Sequence, residues 1–450
     1  MPPREGLPTE ALPIFFSFHT DMEIKKSRWL QLALFCVINL FAGSFYVWSV
    51  FAGPLAERLA DIAGHPVTAA DLGMVFATAS AVNPVAMILG GWANDRFGPR
   101  FVIPFGGAFI GSGLFLSGCV ESQTMLLVVY GLVFGFGVGL TYTSTIGTAI
   151  KYFPDKRGLA GGISSMSYGL SAIVLPPVAS ALILSEGIET TLMILGSVIG
   201  IVIVGGGLLS RRCPDDIVSR ILGRPVASGA KSAGTQSTED KNWLQMIATP
   251  IFWTMLLFFV SASTGAMMMI SSVFTVSQGQ IGVAAQTAAL LVSGLALMNA
   301  AGRFIAGTAS DRFGRLPTLF CCMTSEIAGL FLLLQCGAGD LALFFVGISL
   351  IGICYGGFVG IYPGFTVDQF GAKHNSVNYG LMAAGFSSGG ILGPVIMSRF
   401  AQGSDFSPAY VAALCVCGAG LVFGALCVFL QKKKDRTVRR GAELPAHSRG

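Results

Sequence analysis

Twelve long apolar runs dominate this 450-residue chain. Each is long enough to cross the hydrocarbon core of a bilayer, which takes about 17–25 helical residues. The runs do not alternate between apolar and polar residues, so they predict helices rather than the strands of a membrane barrel. They lie near 29–52, 71–93, 101–119, 125–149, 158–184, 190–210, 249–276, 284–309, 316–336, 341–366, 376–400 and 408–431. We therefore expect an all-α membrane protein with twelve transmembrane helices.

The charged fraction excludes most soluble alternatives. Asp, Glu, Lys and Arg make up 11% of the chain and apolar residues 53%, whereas a soluble domain carries about 25% charged residues. A soluble enzyme, a disordered chain and a disulfide-rich secreted domain fit poorly. Most of the ten cysteines sit singly inside apolar runs, without the paired spacing of zinc ligands. We expect them to be packing residues, with no metal site and no cofactor.

The basic residues predict an orientation. If both termini lie in the cytoplasm, Arg58 and Arg399 fall on the opposite side and Arg303 lies within the eighth helix, which leaves 25 of the 28 Lys and Arg residues on the cytoplasmic side. This asymmetry follows the positive-inside rule. We expect a multi-pass protein of the cell membrane with both termini cytoplasmic.

A polar interval at 211–248 separates two groups of six apolar runs. Its Gly, Ser, Thr and charged residues are typical of a flexible linker. We expect a cytoplasmic N-terminal tail at 1–28, six-helix halves at 29–210 and 249–431, and a basic cytoplasmic tail at 432–450.

The two halves resemble each other in sequence. A Gly-x-x-x-Asp-Arg-x-Gly loop containing Asp95 follows the second run, and the same loop containing Asp311 follows the eighth run, 216 residues later. Duplicated halves around a central site are the organisation of secondary transporters that work by alternating access.

A chain with two such loops resembles the major facilitator superfamily, here over residues 29–431. The resemblance implies two pseudosymmetric halves and a gate, at which the loop charges bond to neighbouring helix ends in one state of the transporter. A role limited to fixing the topology is the alternative. The gating candidates are Asp95, Arg96, Arg100, Asp311, Arg312 and Arg315.

Four further strings resemble, within that superfamily, the oxalate/formate antiporter family, which is related to the monocarboxylate transporters. They begin at Gly43 in the first helix, Gly135 in the fourth, Lys151 after the fourth and Asn378 in the eleventh. The resemblance implies a gradient-driven transporter of small organic anions rather than an enzyme. The chain also lacks a Walker sequence.

Arg303 is a cation inside the eighth predicted helix. A guanidinium at the bilayer centre costs roughly 2.5–3.5 kcal/mol on insertion scales and does not lose its proton. Its counterpart in the first half is Met87, so the charge breaks the symmetry of the scaffold. The fork of the guanidinium matches a carboxylate, and the resemblance implies that this arginine anchors the substrate. A snorkelling or gate-pairing arginine is the alternative.

Aromatic and polar side chains are expected to complete the substrate site. The resemblance implies that Phe386 replaces a second cation of the oxalate-transporting members. A second carboxylate would then lack a counter-charge, which favours a monocarboxylate. For each aromatic residue, packing or a place at the membrane interface is the alternative. The substrate-binding candidates are Arg303, Tyr46, Trp48, Tyr142, Tyr355, Phe386 and Asn299.

Two residues bear on ion coupling. Asn299 stands where the resemblance implies an aspartate in proton-coupled monocarboxylate transporters, and an amide does not titrate in the physiological pH range. Glu326 in the ninth helix is an alternative proton carrier, because an ionisable residue within the membrane is a functional candidate. A neutral, hydrogen-bonded role between helices is the other interpretation. Protons and a counter-anion both stay open as coupled partners.

The sequence thus predicts a monomeric secondary transporter that works by alternating access. Its expected partners are the lipid bilayer and a small carboxylate of the lactate, pyruvate or formate kind, with no nucleic acid. Two alternatives remain, namely a dicarboxylate antiporter of the oxalate/formate type and a nutrient sensor that keeps the fold without transport.

Overall fold

The computed structural model describes residues 12–68, 71–214, 217, 221, 240–403 and 405–443, with side chains from residue 27 to residue 433 of these ranges. Helices make up most of this part of the chain. This is expected inside a bilayer, where each backbone N–H and C=O must find its hydrogen bond within the protein.

The first half contains six spanning helices. Helix α1 consists of Leu12–Ala42 and Trp48–Ala63, joined by a 3₁₀ turn at Gly43–Val47. Helices α2 to α4 are Gly73–Phe97, Pro99–Ser117 and Gln123–Tyr152. Helices α5 and α6 share the stretch Arg157–Leu209, which bends at Gly187, whose φ of 78° is not helical. This stretch is far longer than one membrane crossing requires. The bend divides it into two antiparallel spans.

The second half follows a short helix, Trp243–Ile247, whose first turn is capped by Asn242. Helices α7 to α12 are Pro250–Ile281, Ala285–Phe313, Arg315–Gln335, Leu341–Phe370, Asn375–Phe400 and Ser407–Glu443. The twelve-helix all-α membrane fold expected from the sequence is confirmed. Helix α1 already begins within the predicted N-terminal tail, and α12 continues into the predicted C-terminal tail. Most of the predicted linker lies outside the described residues.

The repeated loops have the same backbone structure. Helix α2 ends at Phe97 and α8 at Phe313, and the next residues, Gly98 and Gly314, have φ of 85° and 93°. Glycine adopts such positive φ without the steric penalty of a side chain. The next helix therefore begins directly after the glycine. The charged residues of the short loop stay close to the ends of the two helices that it joins.

The two halves pack against each other through α5 with α8 and through α2 with α11. We call the end of the bundle that carries the two repeated loops the basic end. Towards this end, Gly162 of α5 faces the backbone of Arg303 in α8 so closely that a Cβ atom on Gly162 would collide with the Arg303 carbonyl oxygen. The small residue permits backbone-to-backbone contact between the halves, so the bundle is closed at the basic end.

Candidate functional site

Arg303 lies at the interface between the two halves. Its side chain is fully enclosed, with 2% of the residue surface exposed. Its Nε donates to Oδ1 of Asn299, one helical turn earlier in α8, at 3.1 Å. Its Nη1 donates to the backbone carbonyl oxygen of Ser165 in α5 at 2.8 Å. The guanidinium is therefore bonded to both halves, and it points into the bundle rather than towards lipid.

Three tyrosines of the predicted site lie near this guanidinium. Tyr46 of α1, Tyr142 of α4 and Tyr355 of α10 all interact with it electrostatically. Tyr142 and Tyr355 are buried, whereas Tyr46 is half-buried. Phenolic hydroxyls both donate and accept hydrogen bonds. They offer a carboxylate additional donors around the fixed cation.

Two further tyrosines belong to this cluster, although sequence reasoning missed them. The ring of Tyr168 in α5 lies 5.5 Å from that of Tyr46 and 4.8 Å from that of Tyr142. Tyr379 of α11 is fully buried and interacts with Tyr142 and Arg303. Both tyrosines precede a glycine in an apolar run, and no spacing rule reveals which face of the helix they occupy.

Trp48 and Phe386 stand apart from these tyrosines. The Trp48 ring packs 4.6 Å from Tyr130 and 6.3 Å from Phe76, within the first half. Phe386 is half-buried, and its ring lies 6.4 Å from that of Phe259 in α7. The structure thus places Arg303, Asn299 and the tyrosines together. Trp48 and Phe386 instead pack against aromatic residues of their own halves.

The second-half loop is bonded across the interface at the basic end. Both carboxylate oxygens of Asp311 accept hydrogen bonds, one from the backbone N–H of Gly158 and one from that of Leu159, each at 2.8 Å. These amides form the first turn of α5, where unpaired N–H groups and the helix dipole favour an anion. Asp311 therefore caps a helix of the opposite half.

A chain of ion pairs continues from this cap. Arg315 contacts Asp311 at 2.7 Å and Asp368 at 2.9 Å, both within the second half. Asp368 also pairs with Arg157 of the first half at 2.7 Å. Arg157 and Asp368 were not among the gating candidates, because nothing in the sequence joins residues so far apart. They complete the ionic contact between the halves.

The first-half loop makes a different contact. Asp95 pairs with Lys151 of its own half at 2.7 Å and accepts a hydrogen bond from Ser376 of α11 at 2.8 Å. Asn94 also donates to the Ser376 hydroxyl, at 3.3 Å. Both repeated aspartates thus accept hydrogen bonds from the opposite half. The donor to Asp95 is a hydroxyl group, whereas the donors to Asp311 are backbone amides.

The three remaining gating candidates are arginines at the surface of the basic end. The guanidinium of Arg96 lies over the rings of Trp92 and Phe97, and that of Arg312 lies over Phe313. Arg100 is exposed at the start of α3. Stacking on aromatic faces within the same loop stabilises that loop locally, whereas the aspartates connect the halves.

Glu326 is fully buried inside the second half. Its Oε2 accepts a hydrogen bond from the thiol of Cys354 in α10 at 3.1 Å, and the Cys417 thiol of α12 and the Ala266 backbone of α7 lie beside the carboxyl group. No cation of the described residues pairs with it in a salt bridge. Its surroundings all belong to one six-helix half, so a rocking motion between the halves leaves them unchanged.

We expect Glu326→Gln to keep substrate exchange and its dependence on pH close to those of the unaltered protein. Glutamine has the size of a neutral glutamic acid and can still accept a hydrogen bond from Cys354. The measurement is uptake into liposomes with and without an imposed pH gradient. Loss of gradient-driven uptake with intact exchange would contradict this expectation and assign proton coupling to Glu326.

The fold and the site together define a polytopic membrane transporter with two six-helix halves. A family model of the Major Facilitator Superfamily matches residues 33–283 and 262–449. The chain belongs to the major facilitator superfamily, as its loops indicated, and this family consists of transporters rather than enzymes.

Individual relatives agree with this assignment. The chain is 28% identical to the oxalate:formate antiporter of Oxalobacter formigenes over 421 residues, which cover 93% of this chain and 95% of that protein. It is 25% identical to monocarboxylate transporter 12-B of Danio rerio, over 76% of this chain and 74% of that protein. The resemblance to the oxalate/formate antiporter family is confirmed.

Solved structures support the fold alone. The proton:xylose symporter XylE superposes with a TM-score of 0.69 at 14% identity, over 91% of this chain and 96% of that chain. The Escherichia coli fucose:proton symporter FucP superposes with a TM-score of 0.64 at 14% identity, over 89% of this chain and 99% of that chain.

Proposed function

We propose that the protein is a secondary active transporter of small organic anions, and that its substrate is a monocarboxylate such as lactate, pyruvate or formate. One observation carries this proposal. A permanently charged guanidinium is enclosed between the two halves, with tyrosines of both halves near it. The site can therefore hold a carboxylate by charge and by hydrogen bonds at the interface that alternating access opens and closes.

The charge of the site supports a single carboxylate. Among the described residues, the buried cationic side chains are Arg28 and Arg303, and Arg28 is paired with Asp155 at 2.7 Å. One cation is thus left for the substrate. A dianion would retain an uncompensated charge in a buried site, which costs several kcal/mol. Oxalate/formate exchange is the second candidate, and the similarity to the Oxalobacter antiporter favours it.

The hydrogen bond between Arg303 and Ser165 suggests how binding drives the transport cycle. Without substrate, Nη1 holds the carbonyl of α5 and joins the two halves. An anion that takes this N–H competes with the carbonyl and weakens the contact between α5 and α8. Substrate binding then lowers the barrier to opening the basic end, as coupling between a ligand and two conformations requires.

We place the basic end, with both termini, in the cytoplasm, because the exposed arginines and lysines of the loops follow the positive-inside rule. The closed basic end then corresponds to an outward-facing state. We further propose that residues 29–210 and 249–431 move as two bodies joined by the linker 211–248, within a monomer. The ion coupled to transport, a proton or a counter-anion, binds at a site other than the amide of Asn299.

Uptake of labelled lactate into liposomes containing the purified protein tests the proposed function. We expect unlabelled pyruvate or lactate to compete, and oxalate at equal concentration to compete at least tenfold less well, because the site offers one cation. Phe386→Lys should strengthen inhibition by oxalate, because it supplies a second cation for the second carboxylate. Absence of uptake, or strong inhibition of the unaltered protein by oxalate, would contradict the monocarboxylate assignment.

A further inference from the structure

A cavity of about 720 Å³ lies at the basic end, outside the substrate site. Its described lining comes from α2, α4 and α5 of the first half, from α10 and α11 of the second, and from both described ends of the predicted linker. Arg303, Asn299 and the tyrosines near them are not among these lining residues. Pockets for small molecules measure about 300–1,000 Å³, so this cavity has room for a second ligand.

The described lining of this cavity carries more positive than negative charge. Two of its cations already have partners, because Lys151 pairs with Asp95 and Arg157 pairs with Asp368, each at 2.7 Å. Three further cations and one further carboxylate remain. The cations of the lining are Arg96, Lys151, Arg157, Arg212 and Lys373, and its carboxylates are Asp95 and Asp240.

Arg96, Arg212 and Lys373 form no salt bridge with any described residue. The Arg96 guanidinium lies 5.6 Å from the centre of the Trp92 ring, a contact that leaves its charge in place. Asp240, the remaining carboxylate, accepts a hydrogen bond from the backbone N–H of Lys373 at 3.2 Å. A cleft lined by one sign of charge concentrates ions of the opposite sign. These three side chains therefore indicate an anion as the ligand.

Arg212 is held beside Arg96 on the first half. The hydroxyl of Tyr152 in α4 donates to the Arg212 carbonyl oxygen at 3.2 Å. A Cβ atom on Gly98, two residues after Arg96, would lie 3.7 Å from the Cβ atom of Arg212. The chain after α6 thus packs against the first repeated loop, and these two cations border the cavity from the same half.

Lys373 borders the cavity from the second half, in the turn between α10 and α11. Three residues later, the Ser376 hydroxyl donates to Asp95 at 2.8 Å and accepts from Asn94 at 3.3 Å. These hydrogen bonds hold the start of α11 against the end of α2, where Arg96 lies. The three cations therefore share one cavity only while the two halves are in contact.

We propose that this cavity binds a multivalent phosphate anion through Arg96, Arg212 and Lys373, and that the bound anion holds the basic end closed. Arginine and lysine both bind phosphate groups by charge and by hydrogen bonds. Linked phosphate groups carry several negative charges within a small volume, which matches three cations, whereas a monocarboxylate would pair with one. The phosphate belongs to a soluble polyphosphate or to a lipid headgroup, and the experiment below distinguishes these sources.

The effect on transport follows from the state in which the site is complete. A ligand shifts a conformational equilibrium only through its difference in affinity for the two states. Lys373 moves away from Arg96 and Arg212 when the basic end opens, so the anion binds the closed state more tightly. It therefore slows transport from a site that the carboxylate does not occupy, which goes beyond the proposed function.

Calorimetric titration of the detergent-solubilised full-length protein with tripolyphosphate tests for the site in the absence of lipid. Arg212→Gln and Lys373→Gln should each weaken binding about fivefold, because each removes one cation at an exposed site. Arg211→Gln is the matched control, since Arg211 is the adjacent exposed arginine and is not part of the described lining. It should leave the affinity unchanged. Lactate should not displace tripolyphosphate, because the two sites are separate.

Thermal stabilisation by phosphatidic acid in mixed micelles, with phosphatidylcholine as the blank, forms the lipid arm with the same variants. Tripolyphosphate binding that depends on Arg212 and Lys373 supports a soluble ligand. Stabilisation by phosphatidic acid alone, lost in these two variants, assigns the phosphate to a lipid headgroup.

Hydrogen–deuterium exchange of residues 92–98 and 372–378 measures the effect on conformation. Both segments should exchange more slowly when the phosphate probe that binds is present. Lactate uptake into liposomes that contain this probe on both sides of the membrane should fall about twofold or more. Binding without slower exchange would overturn the closing effect.

Two results would overturn the site itself. One is that neither tripolyphosphate nor phosphatidic acid binds to the unaltered protein. The other is binding that Arg212→Gln and Lys373→Gln leave unchanged, or that Arg211→Gln weakens as much as they do. The titration needs no transported substrate, so its failure is distinguishable from failure of the proposed function.

Discussion

Replacement of Arg303 by alanine should abolish carboxylate uptake, and replacement by lysine should restore little of it. Alanine removes the buried cation, so an entering carboxylate would lack a counter-charge. A loss of at least one hundredfold in affinity, about 2.7 kcal/mol, is expected. Lysine keeps a charge but offers no planar fork, and one ammonium group does not reproduce the bonds to both Asn299 and Ser165.

Initial uptake rates and substrate-induced thermal stabilisation are the measurements for these variants. Arg399→Ala is the matched control, because Arg399 is an exposed arginine in the last turn of α11, away from the substrate site. It should behave like the unaltered protein. Normal uptake by Arg303→Ala would show that the guanidinium does not anchor the substrate carboxylate.

Replacement of Gly162 by valine should prevent closure of the basic end and stop transport. Any Cβ atom at this position collides with the backbone carbonyl of Arg303, and a backbone atom cannot move aside as a flexible side chain does. Overpacking typically costs about 1–3 kcal/mol, which corresponds to a fall of about 5- to 150-fold in the closed population. The variant should accumulate in the state that is open at the basic end.

Hydrogen–deuterium exchange of residues 157–166 and 303–311, measured beside uptake, detects this shift. Both segments should exchange faster in Gly162→Val because their contact is lost. Gly205→Val is the control, since a Cβ at Gly205 in α6 would meet no atom within 4 Å. Unchanged exchange and normal uptake in Gly162→Val would mean that α5 and α8 need not touch in the transport cycle.

The sequence predicted the parts of the fold that depend on local pattern. Apolar length predicted the helices, and the 216-residue offset predicted two loops with the same backbone, which Gly98 and Gly314 form. A charge within an apolar run likewise pointed to Arg303. These features are visible because each depends on a few neighbouring residues.

The contacts between the halves were not predictable in this way. The Nη1 partner of Arg303 is a backbone carbonyl, at Ser165, which any residue type would provide. Tyr168 and Tyr379 join the cluster only because of how α5 and α11 rotate when they pack. The pair of Arg157 and Asp368 spans 211 residues and two repeats. Such contacts are set by tertiary packing, on which a single sequence carries little information.

The repeat also carries an inversion of charge at the ends of α4 and α10. With one residue added to the 216-residue offset, Lys151 of the first half corresponds to Asp368 of the second. Lys151 neutralises Asp95 within its own half, whereas Asp368 takes Arg157 from across the interface. When the halves separate, Arg157 loses this carboxylate, whereas Asp368 still contacts Arg315, which also contacts Asp311. The first half then presents the Arg157 guanidinium at the opened basic end, where it attracts a departing anion.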